Sequence, residues 1–137
     1  MKAKPKILMF EDDPFIKDIY FQKLIQVGFE VRSFDHYPDV VKTVTEEKPD
    51  ILLIDLLVPG EVDGFEAIRL LKKSKRTKDI PIVIVSNVDN KDQIRKGLEL
   101  GAVNYLVKAL HNPTELAAFF IKHLVEAGKF NKEDFNF

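Results

Sequence analysis

The chain contains no cysteine, which excludes disulfide frameworks, thiolate metal centres and thiol nucleophiles from the start and fits a reducing compartment. It also lacks a surplus of either charge: 21 Lys and Arg stand against 22 Asp and Glu, a formal net charge of −1. A surface that binds nucleic acid through bulk charge is therefore not expected, and no direct nucleic-acid partner is assigned. Long apolar stretches are missing too. The amino-terminal sequence MKAKPKILMFEDD is basic, then briefly apolar, then acidic. Its apolar part is too short for a signal-peptide core or a membrane span, so it reads as a buried strand. No membrane partner is expected, and the location expected is cytoplasmic. There is no internal repeat, low-complexity segment or interdomain linker.

What is present is the composition of an ordinary globular protein, 45% hydrophobic and 31% charged over 137 residues, with room for one domain and one sizeable core. The runs Ile7-Leu8-Met9-Phe10, Ile51-Leu52-Leu53-Ile54 and Ile82-Val83-Ile84-Val85 are too short for helices and do not alternate with polar residues. Strands covered on both faces, as in a parallel sheet flanked by helices, look like this. Weaker strand signals lie at Glu30 to Phe34 and Val103 to Val107.

Between the strands, spacing predicts helices. Asp13 caps the first and Pro14 opens it; Ile16, Ile19, Tyr20, Lys23, Leu24 and Val27 follow at three- and four-residue steps until Gly28 closes it. The others are expected over Pro38 to Glu47, Gly64 to Lys73, Asn90 to Leu100, and from Asn112-Pro113-Thr114-Glu115 to Ala127, the last with a capping box. Alternation of this kind gives a doubly wound α/β sandwich of five strands and five helices. The domain is expected over 1–128, with a polar, phenylalanine-bearing tail over 129–137 that either moves freely or docks.

In such sheets, ligands bind beyond the carboxyl ends of the strands. There the sequence places Glu11, Asp12 and Asp13 after the first strand, Asp55 after the third, Ser86 and Asn87 after the fourth, and Lys108 after the fifth. Crowded carboxylates repel one another unless a cation joins them, and an all-oxygen set without His or Cys favours Mg²⁺. A cation on one side, the Lys108 ammonium on another and the Ser86 hydroxyl make a receptacle for a phosphoryl group, with Asp55 as the nucleophile. Asp13 is read as a helix cap rather than a site residue. His36, His111 and His123 are scattered and carry no assigned chemistry.

Together these residues resemble the receiver domains of two-component response regulators, from Lys6 to about Ala127. Four blocks carry the resemblance: Phe10-Glu11-Asp12-Asp13; Leu53 to Gly60 followed by Asp63-Gly64; Ile80-Pro81 through Ser86; and Gly101-Ala102 through Lys108. The resemblance implies a flavodoxin-like parallel sheet in strand order 2-1-3-4-5. It implies that Asp55 accepts a phosphoryl group from a sensor histidine kinase or a histidine phosphotransfer protein. Asp12, Asp55 and the backbone carbonyl of Leu57 would bind Mg²⁺, with Glu11 holding metal-bound water, while Ser86 and Lys108 contact phosphoryl oxygens. Ser86 and Tyr105 would be the switch pair, reshaping the face of helix four, strand five and helix five for a protein target or a second copy. No separate substrate is turned over.

Several positions depart from the family pattern. Ala109 stands where receivers usually have a proline joined by a cis peptide, so a trans bond is expected, and the placing of Lys108 is the least secure of the set. Asn87 replaces a small residue, where it either narrows access or adds a hydrogen bond. Glu61 or a neighbour lengthens the loop between Pro59 and Asp63 by one residue. Leu57 and Val88 are apolar where polar side chains help orient water, which points to a long-lived acyl phosphate. Helix five is more apolar than one core face needs, so Phe119 and Ile121 lie either under the tail or at an interface. Nothing after Ala127 is long enough for a DNA-binding or catalytic module, so the chain is either a switch without its own output domain or a domain of a larger protein. The alternative is a pseudo-receiver that keeps the fold without the reaction. A small aspartate-nucleophile phosphatase is disfavoured, because Leu57 occupies the position of its general acid.

Overall fold

The computed structural model describes residues 3–58 and 62–137. Five parallel strands, β1 (Lys6–Phe10), β2 (Glu30–Phe34), β3 (Ile51–Ile54), β4 (Ile82–Ser86) and β5 (Asn104–Val107), form one sheet in the order β2-β1-β3-β4-β5. They alternate with α1 (Pro14–Gln26), α2 (Val40–Glu47), α3 (Gly64–Lys73), α4 (Lys91–Glu99) and α5 (Pro113–Glu126).

The apolar runs become strands because each successive side chain finds a different core. Ile7 and Met9, Ile51 and Leu53, and Val83 and Val85 face one cluster with Leu24 of α1 and Leu116, Phe120 and Leu124 of α5. Leu8 and Phe10, Leu52 and Ile54, and Ile82 and Ile84 face the other, with Val44 of α2 and Ile68 and Leu71 of α3. A strand buried on both faces has no polar positions to alternate. Fully burying each such side chain contributes about 1.5–3 kcal/mol.

Helix starts follow their caps. Asp13 accepts from the amides of Phe15 and Ile16, and Asn112 and Glu115 form the capping box of α5. The second helix starts later than expected, at Val40 rather than Pro38, because Asp39 takes the cap position and accepts from the Lys42 amide. On α1 the buried face runs through Tyr20, Leu24 and Val27, and Ile19 is exposed rather than part of the packed stripe. The tail docks: Phe135 is buried against Phe29, and the Asn136 amide donates to the Val27 carbonyl at 2.9 Å. Ile121 is buried as well, and Phe119 packs half-buried against the same core. The expected lengthening of the loop around Glu61 lies outside the described residues. No helix among the described residues is long and apolar enough to cross a membrane.

Candidate functional site

Strand register brings the acids together. Phe10 is level with Ile54 at the end of the β1–β3 ladder, so the next residues, Glu11 and Asp55, emerge side by side. The Glu11 amide donates to the Phe34 carbonyl at 3.0 Å and the Asp55 amide to the Phe10 carbonyl at 3.1 Å, which holds both backbones in strand-like paths past the ladder. Glu11 is wholly buried and Asp55 is 4% exposed, whereas Asp12 is open to solvent. Carboxylate oxygens of Glu11, Asp12 and Asp55 lie within 4.8 Å of one another.

The other side of the rim is built the same way. Ser86 is level with Val107 at the end of the β4–β5 ladder, and Lys108 is the next residue. Its ammonium donates to Asp55 Oδ2 at 2.8 Å and also to Glu11 Oε1. No peptide bond among the described residues is cis, so Lys108 reaches both acids from a trans bond to Ala109. The Ser86 hydroxyl is buried and accepts from the Val88 amide at 3.2 Å. Tyr105 is turned inward, 8% exposed, with its phenol donating to the Val88 carbonyl at 2.5 Å.

The electrostatics follow from this burial. Desolvation pushes Glu11 up to about 7; the hydrogen bond from Lys108 opposes that rise and the neighbouring Asp55 carboxylate adds to it. Burial acts to lower the Lys108 pKa, but its hydrogen bonds to Asp55 and Glu11 outweigh it and the net shift is upward. Lys108 is therefore a fixed cation opposite acids that would otherwise be hard to keep charged. One ammonium against three acids leaves an electron-rich oxygen set, which suits a hard divalent cation.

Two supports escaped the sequence reading. The Tyr37 phenol donates to the Asp55 carbonyl at 2.7 Å and is buried by stacking on Phe10. Nothing near Tyr37-Pro38-Asp39 signals this, because the contact spans 18 residues. The second support is Gly64, the first residue of α3. A Cβ there would sit 2.7 Å from the Leu56 Cα and 3.0 Å from the Asp55 carbonyl, so α3 approaches the acid loop only through glycine. Asn87 does add a hydrogen bond: its Oδ1 accepts from the Ala109 amide at 3.1 Å.

The comparisons with known proteins agree with this geometry. The family model "Response regulator receiver domain" matches residues 7–120. The phosphate regulon transcriptional regulatory protein PhoB of Klebsiella pneumoniae is 34% identical over 113 residues, covering 82% of this chain and 48% of that protein. The chain thus spans about half the length of the curated relatives it matches. Among solved structures, a response regulator from Chloroflexus aurantiacus superposes with a TM-score of 0.80 at 25% identity, covering 90% of this chain and 99% of that one. The BeF3-activated N-terminal receiver domain of Klebsiella pneumoniae RstA gives 0.73 at 30% identity, covering 87% and 97%. Acids, hydroxyl and lysine meet on one rim of a 2-1-3-4-5 sheet, and the chain belongs to the response regulator receiver domain family.

Proposed function

We propose that Asp55 accepts a phosphoryl group from the phosphohistidine of a sensor histidine kinase or a histidine phosphotransfer protein, and that the modified chain signals to a protein partner. The reading is carried by one observation: Lys108 reaches across the rim to Asp55 and Glu11, so the lone acid of β3 faces both a cation and a second carboxylate. An Asp55 oxygen forms the bond to phosphorus as the donor's P–N bond breaks. The leaving imidazole keeps that bond's electron pair and recovers a proton from solvent.

Glu11, Asp12 and Asp55, joined by the Leu57 carbonyl, would hold Mg²⁺, and their spacing supports this. When bound, the metal neutralises charge on the transferring oxygens. Lys108 neutralises the opposite side, and the buried Ser86 hydroxyl donates to a phosphoryl oxygen. The hydroxyl accepts from the Val88 amide, which leaves its own O–H free to donate. That same segment receives the Tyr105 phenol, so Ser86 and Tyr105 share one stretch of backbone and form the switch pair. The face of α4, β5 and α5 would then bind a protein target or a second copy. Near-balanced charge supports a protein partner over a nucleic acid.

Incubation with acetyl phosphate and Mg²⁺, read by intact mass, tests this. A single phosphate adduct is expected, lost in Asp55→Asn. An unmodified wild-type chain that also ignores beryllofluoride would establish the pseudo-receiver instead.

A further inference from the structure

The β4–β5 ladder ends at Ser86 and Val107, and the two residues that would touch the phosphoryl group, Ser86 and Lys108, sit at and just past this end. Lys108 opens a short 3-10 helix, Lys108–Leu110, whose closing bond from the His111 amide to the Lys108 carbonyl is long at 3.4 Å. A lysine ammonium hangs on four rotatable bonds, so where it rests depends on how firmly its own backbone is anchored. On the amino-terminal side that anchor is the ladder at Val107. On the other side it is a side chain, Oδ1 of Asn87, which accepts from the Ala109 amide at 3.1 Å across 22 residues.

Asn87 has no local duty that would explain this bond. The cap of α4 is Asn90, which accepts from the Asp92 and Gln93 amides. Val88 is tied to Ser86 Oγ and to Tyr105, not to Asn87. The donor exists only because residue 109 is not proline, which has no N–H to offer. The residues at 87 and 109 are thus two halves of one contact.

We propose that Asn87 is a positioning residue for Lys108: by holding the Ala109 amide it carries the β4–β5 pairing one step past the last backbone rung and fixes the segment from which Lys108 reaches Asp55 and Glu11. The inference rests on the reading of Asp55 as phosphoryl acceptor and names a device that serves it. The bond is exposed, so it adds little to global stability and acts on local geometry.

The test uses the whole chain as wild type, Asn87→Ala, Ala109→Pro and the double variant. Two readouts need no phosphodonor: exchange of the Ala109 amide with solvent, and the two Lys108 Hε resonances, which are distinct when the ammonium is held and merge when it is free. In Asn87→Ala the amide exchanges faster and the Hε pair merges, while the melting temperature stays within about 2 °C of wild type. Phosphorylation by acetyl phosphate with Mg²⁺ slows roughly tenfold. Against Ala109→Pro, which has no amide to hold, Asn87→Ala adds no further slowing. Unchanged Lys108 resonances in Asn87→Ala, or equal slowing in both backgrounds, overturns the proposal. A wild type that takes up no phosphate defeats the acceptor reading but leaves the two resonance readouts to decide the placing of Lys108.

Discussion

The two ends of the sheet are built on opposite principles. At the amino end, where β2 begins, Phe29 meets Phe135 of the tail with ring centroids 5.3 Å apart, and Phe130 packs edge-on against Phe135. These aromatic contacts lower free energy by leaving water. At the carboxyl end, Glu11, Asp55 and Ser86 are buried although each is polar, and Thr77 is the one other buried polar residue among the described residues. Burying carboxylates costs stability, which persists because Lys108, Tyr37 and the strand ladders hold them in place. The amino end buries apolar rings, whereas the carboxyl end buries polar and charged groups.

The difference is measurable. Lys108→Ala removes the cation from two buried acids, so at pH 8 without Mg²⁺ unfolding free energy falls by about 3 kcal/mol. The loss depends on pH with a definite sign. Glu11 has a folded pKa of about 7 against an ordinary 4.5, so its contribution is fully present below 4.5 and is lost as pH rises through about 7. At pH 6 a protonated Glu11 no longer needs the ammonium, and the variant's deficit shrinks. Adding Mg²⁺ at pH 8 restores part of it, because another cation enters the acid set. Denaturant titrations at both pH values check this; a deficit independent of pH and Mg²⁺ would break the comparison.

At the opposite end, Phe135→Ala removes about 2 kcal/mol through lost apolar burial. That loss is the same at both pH values and unaffected by Mg²⁺, as thermal or denaturant unfolding will show. Smaller still is the expected effect of Leu57→Asn. Leu57 is 67% exposed beside Asp55, so stability is unchanged, but a polar group now orients water and the acyl phosphate decays roughly tenfold faster, about 1.4 kcal/mol in barrier. Decay of the adduct by mass gives the number directly; an unaltered half-life removes Leu57 from the account.

The same contrast explains what could be read from the sequence. The three apolar runs announced central strands because both faces are buried, and residues that follow strands gather at one rim by topology alone. The gathering of Glu11, Asp12, Asp55, Ser86 and Lys108 at one rim was legible for that reason. What stayed hidden depends on contacts between distant segments. Tyr37 stacks on Phe10 and grips the Asp55 carbonyl, yet in the sequence it is only the residue before the expected start of the second helix. Asn87 and Ala109 each look like an isolated departure from the family pattern, and only their hydrogen bond shows that they belong together. Ile19 fits the helical spacing of α1 but falls outside the arc that the sheet covers. Pro38 misplaced the start of α2, because an aspartate one residue later makes the stronger cap.

The proposed role of the charge buried at the carboxyl rim is to let one carboxylate capture phosphorus. Phosphorylating the chain with acetyl phosphate and Mg²⁺, reducing it with borohydride and sequencing the peptides by mass spectrometry locates that carboxylate. The account predicts homoserine at position 55 and nowhere else. Homoserine at position 12, 5-hydroxynorvaline at position 11, or a reduced residue away from this rim, would contradict it.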